Sequence, residues 1–339
     1  MRILLTGGAG FIGSNFVRFA LANRPDVEVV NLDVLTYSGN LENLAGLDER
    51  HTFVKGDIRD LDLCADLIDG CDAVVHMAAE SHVDRSIIDA RPFIETNVLG
   101  TQTLLDALRR ADPKNTKRFI HVSTDEVYGS LPLDRPDLLF TEETPTNPKS
   151  PYAASKAASD FLVRACVHTY GVDACITNCS NNFGPYQFPE KVIPLFVTNL
   201  IEGEKVPLYG DGLNVRDWLH VDDHCEAILT VLDRGKAGET YNVGGNNERS
   251  NLELTHAILS IMGKGEEMIK PVADRPGHDR RYAIDASKIE RELGWKPTRS
   301  AWPAALEATV DWYRSNEPWW RNVKSGAYRE YYEKQYGNR

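Results

Sequence analysis

Short apolar runs alternate with longer amphipathic stretches through the first half of the chain. Arg2–Thr6, Val27–Asp33, Thr52–Gly56, Ala73–His76, Arg118–Ser123 and Ala174–Cys179 carry the branched residues of strands. Several of these runs lack polar alternation, the pattern of a strand covered on both faces. Between them, Phe11–Asn23, Leu61–Ile68, Phe93–Arg110 and Tyr152–Tyr170 read as helices. Strand and helix in alternation predict βαβ units, and hence an α/β fold with a doubly wound parallel sheet.

Past about residue 180 the pattern changes. Asn181-Asn182-Phe183-Gly184-Pro185 is followed by Pro189 and Pro194, and loops are expected to dominate. Short helices are predicted at Asp222–Asp233, Leu252–Ile261, Ser287–Glu292 and Ala301–Ser315. The division expected is a sheet domain, residues 1–180 plus about 218–248, and a smaller mixed α/β lobe, about 181–217 plus 249–339, which would carry the substrate. The tail from Trp319 to Arg339 reads as a surface helix, with closure of a pocket as the alternative.

A length of 339 residues allows a core that needs no disulfide staples. The formal charge of −12 argues against a nucleic-acid-binding face, although a few arginines in one pocket still suit an anionic small molecule. No apolar stretch approaches the ~20 residues of a membrane span, and the MRILLTGG start has no signal-peptide core. The six cysteines form no C-x-x-C pair, so no metal site is expected, and reduced thiols fit a soluble cytoplasmic protein.

Gly7-Gly8-Ala9-Gly10-Phe11-Ile12-Gly13 lies between the first strand and the first helix. Glycines at 7, 10 and 13 permit a tight turn and close approach of backbone N–H groups to a pyrophosphate, at a helix end carrying partial positive charge. Asp33, twenty residues beyond Gly13, ends the second strand, where a carboxylate accepts from adenosine ribose hydroxyls and repels a 2′-phosphate. NAD is therefore the expected cofactor. Asp57 and Ile58 follow the third strand and are placed to hold the adenine edge.

The G-x-x-G-x-x-G spacing, His76-Met77-Ala78-Ala79, Asn97 and Tyr152-x-x-x-Lys156 together resemble the extended short-chain dehydrogenase/reductase superfamily, in order and over nearly the whole chain. That resemblance implies a Rossmann-type sheet and cofactor contacts at Ala78, Ala79, Asn97, Tyr152 and Lys156. Tyr152 and Lys156 lie one helical turn apart on one face. A nearby ammonium and a cationic nicotinamide are expected to lower the tyrosine pKa, so that it takes an alcohol proton as hydride leaves the same carbon.

The segment Ser123-Thr124-Asp125-Glu126-Val127-Tyr128-Gly129 places two carboxyls at a strand end. Related epimerases usually carry a small residue there. Loss of water across C5–C6 of a hexose needs a base and an acid, and two carboxyls in unlike surroundings divide those tasks. The pair resembles the dTDP-glucose 4,6-dehydratase family. The resemblance implies that Thr124 positions the C4 oxygen, Asp125 protonates the departing C6 hydroxyl and Glu126 removes the C5 proton. It also implies nucleotide-sugar contacts at Ser81, Asn181, Glu190, Lys191, Pro207, Tyr209, Asn251 and His278, with Arg216 and Arg275 on the diphosphate. His82 reads as part of a lining loop, and Asp84 beside it as structural.

The rival readings are a nucleotide-sugar 4-epimerase, a 4,6-dehydratase acting on a GDP- or UDP-sugar, and a non-catalytic NAD-binding regulator. The last has no use for Tyr152, Lys156 and the carboxyl pair together. The resemblance further implies a homodimer, pairing Phe93–Arg110 and Tyr152–Tyr170 of two subunits in a four-helix interface.

Overall fold

The computed structural model describes residues 1–325. Strands β1 (Arg2–Thr6), β2 (Glu28–Asp33), β3 (His51–Lys55), β4 (Ala73–His76), β5 (Arg118–Thr124) and β6 (Ala174–Cys179) form at the predicted runs. With β10 (Thr240–Val243) they build a seven-stranded sheet in the order β10-β6-β5-β4-β1-β2-β3, parallel throughout. The strand order reverses between β1 and β4, and the carboxyl ends of such strands open a ligand crevice.

Both faces of the sheet are covered, which is why β4 and β6 are buried along their whole length. One core holds Phe16, Val17, Ile228 and Val231 from helices Phe11–Asn23 and Val221–Arg234, with Ile289 and Leu293 from Ser287–Leu293. The other holds Ile68, Leu104, Leu108 and Val163 from helices Leu61–Asp69, Thr101–Ala111 and Pro151–Tyr170. All six cysteines are buried and unpaired.

The predicted Phe93–Arg110 helix runs from Arg91 to Ala111, but Ile94–Gly100 is wound as a π-helix. A π-turn inserts a residue into the helical register and often marks a functional position. Here Asn97 lies inside it. The helix Val83–Ile88 was hidden within a stretch that reads as loop.

The C-terminal lobe holds more strand than its sequence suggests. Strands β7 (Asn181–Phe183), β9 (Val215–His220) and β11 (Glu248–Ser250) make one small sheet, while β8 (Val206–Tyr209) and β12 (Ile269–Val272) pair separately. Most are three or four residues long, too short to show a period of two. Around them, helices Val192–Ile201, Asn251–Met262 and Ala304–Ser315 bury Phe196, Ile258, Leu306 and Tyr313 in a core of their own.

The tail departs from the surface helix expected of it. Glu317–Lys324 is helical, but Trp319 and Trp320 are buried against Tyr313 and the Tyr186 and Trp312 rings. Indoles bury more apolar area than the flanking charges can hold at the surface. Residues 326–339 lie outside the described residues.

Candidate active site

A single cleft follows the carboxyl ends of β1, β2, β4, β5 and β6. Gly7, Gly10, Phe11, Ile12 and Gly13 form its floor beside Asp33, Asp57, Ile58, Ala78 and Ala79. Side chains are excluded at two positions of the turn: a Cβ on Gly13 would stand 2.3 Å from the Gly7 carbonyl oxygen, and one on Gly7, where φ is +78°, would stand 2.7 Å from the Ala78 backbone. The cradle therefore fits a pyrophosphate approaching bare backbone.

Asp33 is fixed by two N–H donors, Ala9 to Oδ2 at 2.9 Å and Leu35 to Oδ1 at 2.8 Å. Burial raises its pKa while those bonds pull it down, and each oxygen keeps a lone pair for a ribose hydroxyl. The Asp57 carboxylate is engaged with Arg59 at 2.6 Å. Below Ala78, the His76 ring is locked between the Thr6 and Thr101 hydroxyls, and Thr6 accepts from the Met77 and Ala78 N–H groups.

Asn97 stands behind the wall of the cleft. Its Oδ1 accepts from the Glu80 N–H, and its Nδ2 donates to the Glu80 carbonyl and Ser155 Oγ. It thereby joins the loop after β4 to the helix that carries Tyr152 and Lys156. Ser150 caps that helix by accepting from the Ala153 N–H, with Pro151 at its first position.

Tyr152 and Lys156 face the cleft from the first two turns of the helix. Burial, then the Glu126 charge, raises the phenol well above its ordinary value, offset in part by a hydrogen bond with Thr124. The Lys156 ammonium donates to the Val122 carbonyl at 2.9 Å, and burial pushes it down to about 8.

The carboxyl pair sits on a short 3-10 turn, Asp125–Tyr128, capped by Thr124, whose Oγ1 accepts from the Glu126 N–H at 3.3 Å. Asp125 is 1 % exposed and its Oδ2 has no partner. Burial, with Glu126 and Asp217 nearby, raises its pKa well above the carboxylate range. Burial also raises Glu126, but Arg275, Lys191 and Arg216 all oppose that rise. Both carboxyls are thus pushed up by burial, Asp125 with two further acids adding to the rise and Glu126 with three cations set against it.

Ser81, Asn181, Glu190 and Lys191 line the same cleft. Lys191 caps helix Val192–Ile201 rather than lying inside it, and its Nζ donates to the Ser81 carbonyl. Glu190 accepts from Arg85 Nε at 3.1 Å. The Arg216 guanidinium lies 4.1 Å from the centre of the Tyr282 ring and donates to the Asp279 carbonyl. Arg275 Nη1 and the Tyr209 hydroxyl both donate to Asp84, at 2.6 and 3.0 Å, while the Arg275 Nε has no partner. His278 is bonded to Asp274 and meets the Tyr209 ring edge-on. Pro207 precedes Tyr209 on β8, and Asn251 opens helix Asn251–Met262.

The model of the GDP-mannose 4,6 dehydratase family matches residues 4–302. A dTDP-glucose 4,6-dehydratase of Xanthomonas campestris pv. campestris is 55% identical over 96% of this chain and 97% of its own. The dTDP-glucose 4,6-dehydratase 1 of Escherichia coli K12 is 52% identical over the full length of both. The chain belongs to the dTDP-glucose 4,6-dehydratase family. A dTDP-glucose 4,6-dehydratase of Streptomyces venezuelae, solved with NAD bound, superposes with a TM-score of 0.91 at 55% identity, covering 96% of this chain and all of that one.

Several cleft residues of this family member escaped sequence reasoning. Thr36, Tyr37, Ser38 and Gly39 wall the cleft just beyond Asp33, and Thr96, Cys179, Asn182 and Phe188 line it further on. Nearness to Asp33 and Asn181 was the available signal for the loop and for Asn182. Asp84 was read as structural, yet it ties together two of the expected substrate contacts.

Proposed function

We propose that the protein converts dTDP-D-glucose to dTDP-4-keto-6-deoxy-D-glucose, a hydro-lyase reaction with no net oxidation. The observation that carries this reading is the Asp125–Glu126 pair, two buried carboxyls in unequal electrostatic settings beside Tyr152. When bound, NAD supplies a hydride acceptor at C4, a hydride donor at C6 and a positive charge beside the phenol.

Tyr152 accepts the C4 hydroxyl proton, with Thr124 holding its hydroxyl through their shared hydrogen bond. A ketone at C4 acidifies the C5–H bond, and Glu126, ionised among Arg275, Lys191 and Arg216, takes that proton. Asp125, kept protonated by burial, gives its proton to the C6 oxygen as water leaves. Glu126 then returns a proton to C5, and loss of the C4 proton from Tyr152 with uptake of one by Asp125 restores both groups, so that no proton is gained or lost overall. The bare turn at Gly7–Gly13 holds the pyrophosphate of the cofactor and Asp33 its adenosine ribose, while Asn97 keeps the Tyr152 helix against the nicotinamide wall.

On this reading the sheet domain, 1–180 plus about 218–248, binds NAD, and about 181–217 plus 249–339 binds the nucleotide sugar. Arg216 and Arg275 take the diphosphate, and Tyr209 with Pro207 frames the base. The protein acts as a cytoplasmic homodimer. Exposed Ile94, Leu99 and Phe161 on the helices expected to pair, with Ile88 on the helix before them, support that assembly. None of the described helices is long and apolar enough to cross a membrane.

Incubation with dTDP-glucose tests the proposal. Formation of the 4-keto-6-deoxy product with no stoichiometric loss of NAD is expected. A C4 epimer as product would replace dehydration with simple inversion, and NADH accumulating with product would end the closed cycle.

A further inference from the structure

The last described helix reaches the cofactor loop. Trp319 lies on helix Glu317–Lys324, and its indole Nε1 donates to Asn43 Oδ1 at 2.8 Å, both groups buried. The other arm of the same amide, Nδ2, donates to the Ala9 carbonyl at 2.9 Å. Ala9 is the middle of the glycine-rich turn. Its N–H donates to Asp33 Oδ2 at 2.9 Å, and its carbonyl also accepts from the Asn40 N–H at 3.0 Å. One residue of the phosphate-binding turn is thus held through both of its backbone polar groups.

The holder is itself held. Arg18 donates twice to the Asn43 carbonyl, at 3.2 and 2.8 Å, and its guanidinium lies over the Tyr186 ring. Tyr186 meets the Trp319 ring edge-on. A side-chain amide presents its acceptor and donors at fixed angles in one plane. Engaging Oδ1 by the indole therefore fixes where Nδ2 points. Without that indole N–H, Asn43 Oδ1 is a buried acceptor lacking its donor, and the amide is released to turn away from Ala9.

We infer that Trp319 and Asn43 are positioning residues of the dinucleotide site, holding the glycine-rich turn in its receiving shape through Ala9 and so delaying escape of the cofactor between the two hydride steps. The inference rests on reading the cleft as an NAD site. The delay has a use there, because a cofactor that leaves in its reduced form strands a 4-ketone. It also gives the C-terminal helix a role at a place remote from it in sequence.

The test is the rate at which bound NAD leaves the purified protein on dilution into a trap, together with the melting temperature of the cofactor-free form. Trp320→Phe serves as the control. Trp320 is fully buried on the same helix, but its Nε1 donates to the Tyr313 carbonyl. Trp319→Phe is expected to release NAD about fivefold faster, the effect of one buried hydrogen bond. Trp320→Phe should match wild type in release while melting at a lower temperature. Asn43→Asp keeps the acceptor for Trp319 but sets oxygen against the Ala9 carbonyl. It too should release NAD about fivefold faster, and it serves if Trp319→Phe does not fold. Equal release from wild type, Trp319→Phe and Asn43→Asp would overturn the inference and leave the helix as packing. A wild-type protein that binds no NAD would instead remove the reading of the cleft, and the inference with it.

Discussion

Single atoms decide most of the chemistry of the cleft. Replacing the Glu126 carboxylate with the neutral amide of Gln is expected to lower kcat by at least about 100-fold, the range for loss of a general base. Retained NAD, read from the absorbance of the purified protein, would separate lost chemistry from lost fold. Asp125→Asn should do the same, since an amide cannot give up its proton to a leaving oxygen. The pH profile of kcat follows from the same two groups and Lys156. Glu126 works ionised and its pKa is raised by burial, so activity should fall with acid at a pH above the ordinary glutamate value of about 4.3. Lys156 holds the Val122 carbonyl as an ammonium and is pushed down to about 8, so activity should also fall as pH rises through that value and that bond loses its charge. An acid limb that stays put in Glu126→Asp would detach it from residue 126. Gly13→Ala is a steric case: its Cβ would press on the Gly7 carbonyl oxygen at 2.3 Å, and loss of bound NAD is expected on gel filtration.

At the scale of elements, helix Val83–Ile88 carries out more than its length suggests. It delivers Asp84 to both Arg275 and Tyr209, a loop residue and a residue of β8 in the C-terminal lobe. Asp84→Asn leaves the shape but removes the charge that orients the guanidinium. The KM for dTDP-glucose should rise about tenfold, as for a lost hydrogen bond to a charged group, with kcat within about twofold. Steady-state kinetics checks this, and a fall in kcat at constant KM would speak against it. None of that was legible beforehand. The strands of the first half could be read because buried parallel strands are continuous apolar runs such as Ala73–His76. The turn at Gly7–Gly13 could be read because its mechanism fixes its spacing. Strands β7, β8, β11 and β12 could not, because segments of three or four residues owe their existence to partners far away in sequence. Likewise the π-turn at Ile94–Gly100 leaves no mark on hydrophobic periodicity, although it lies where Asn97 is needed. Sequence spacing likewise tells that Tyr152 and Lys156 share a face, but not that the ammonium donates to the Val122 carbonyl.

The whole molecule interleaves its two lobes along the chain, and it leaves apolar surface open. Ile88, Ile94, Leu99 and Phe161 each remain at least 50 % exposed, an apolar set on helices flanking the nicotinamide side. Phe161→Glu should convert a dimer to a monomer in light scattering, and a dimer that persists would place the interface elsewhere. The interleaving has its own consequence during synthesis. Strand β6 ends at Cys179, but β10, which covers its edge, ends only at Val243. A ribosome working at about 5–20 residues per second leaves that apolar edge open for on the order of three to thirteen seconds. A nascent polypeptide of this length therefore displays an unpaired ribbon of the kind that invites clumping. Stalled translation between those two points should yield material that needs a chaperone to stay dispersed.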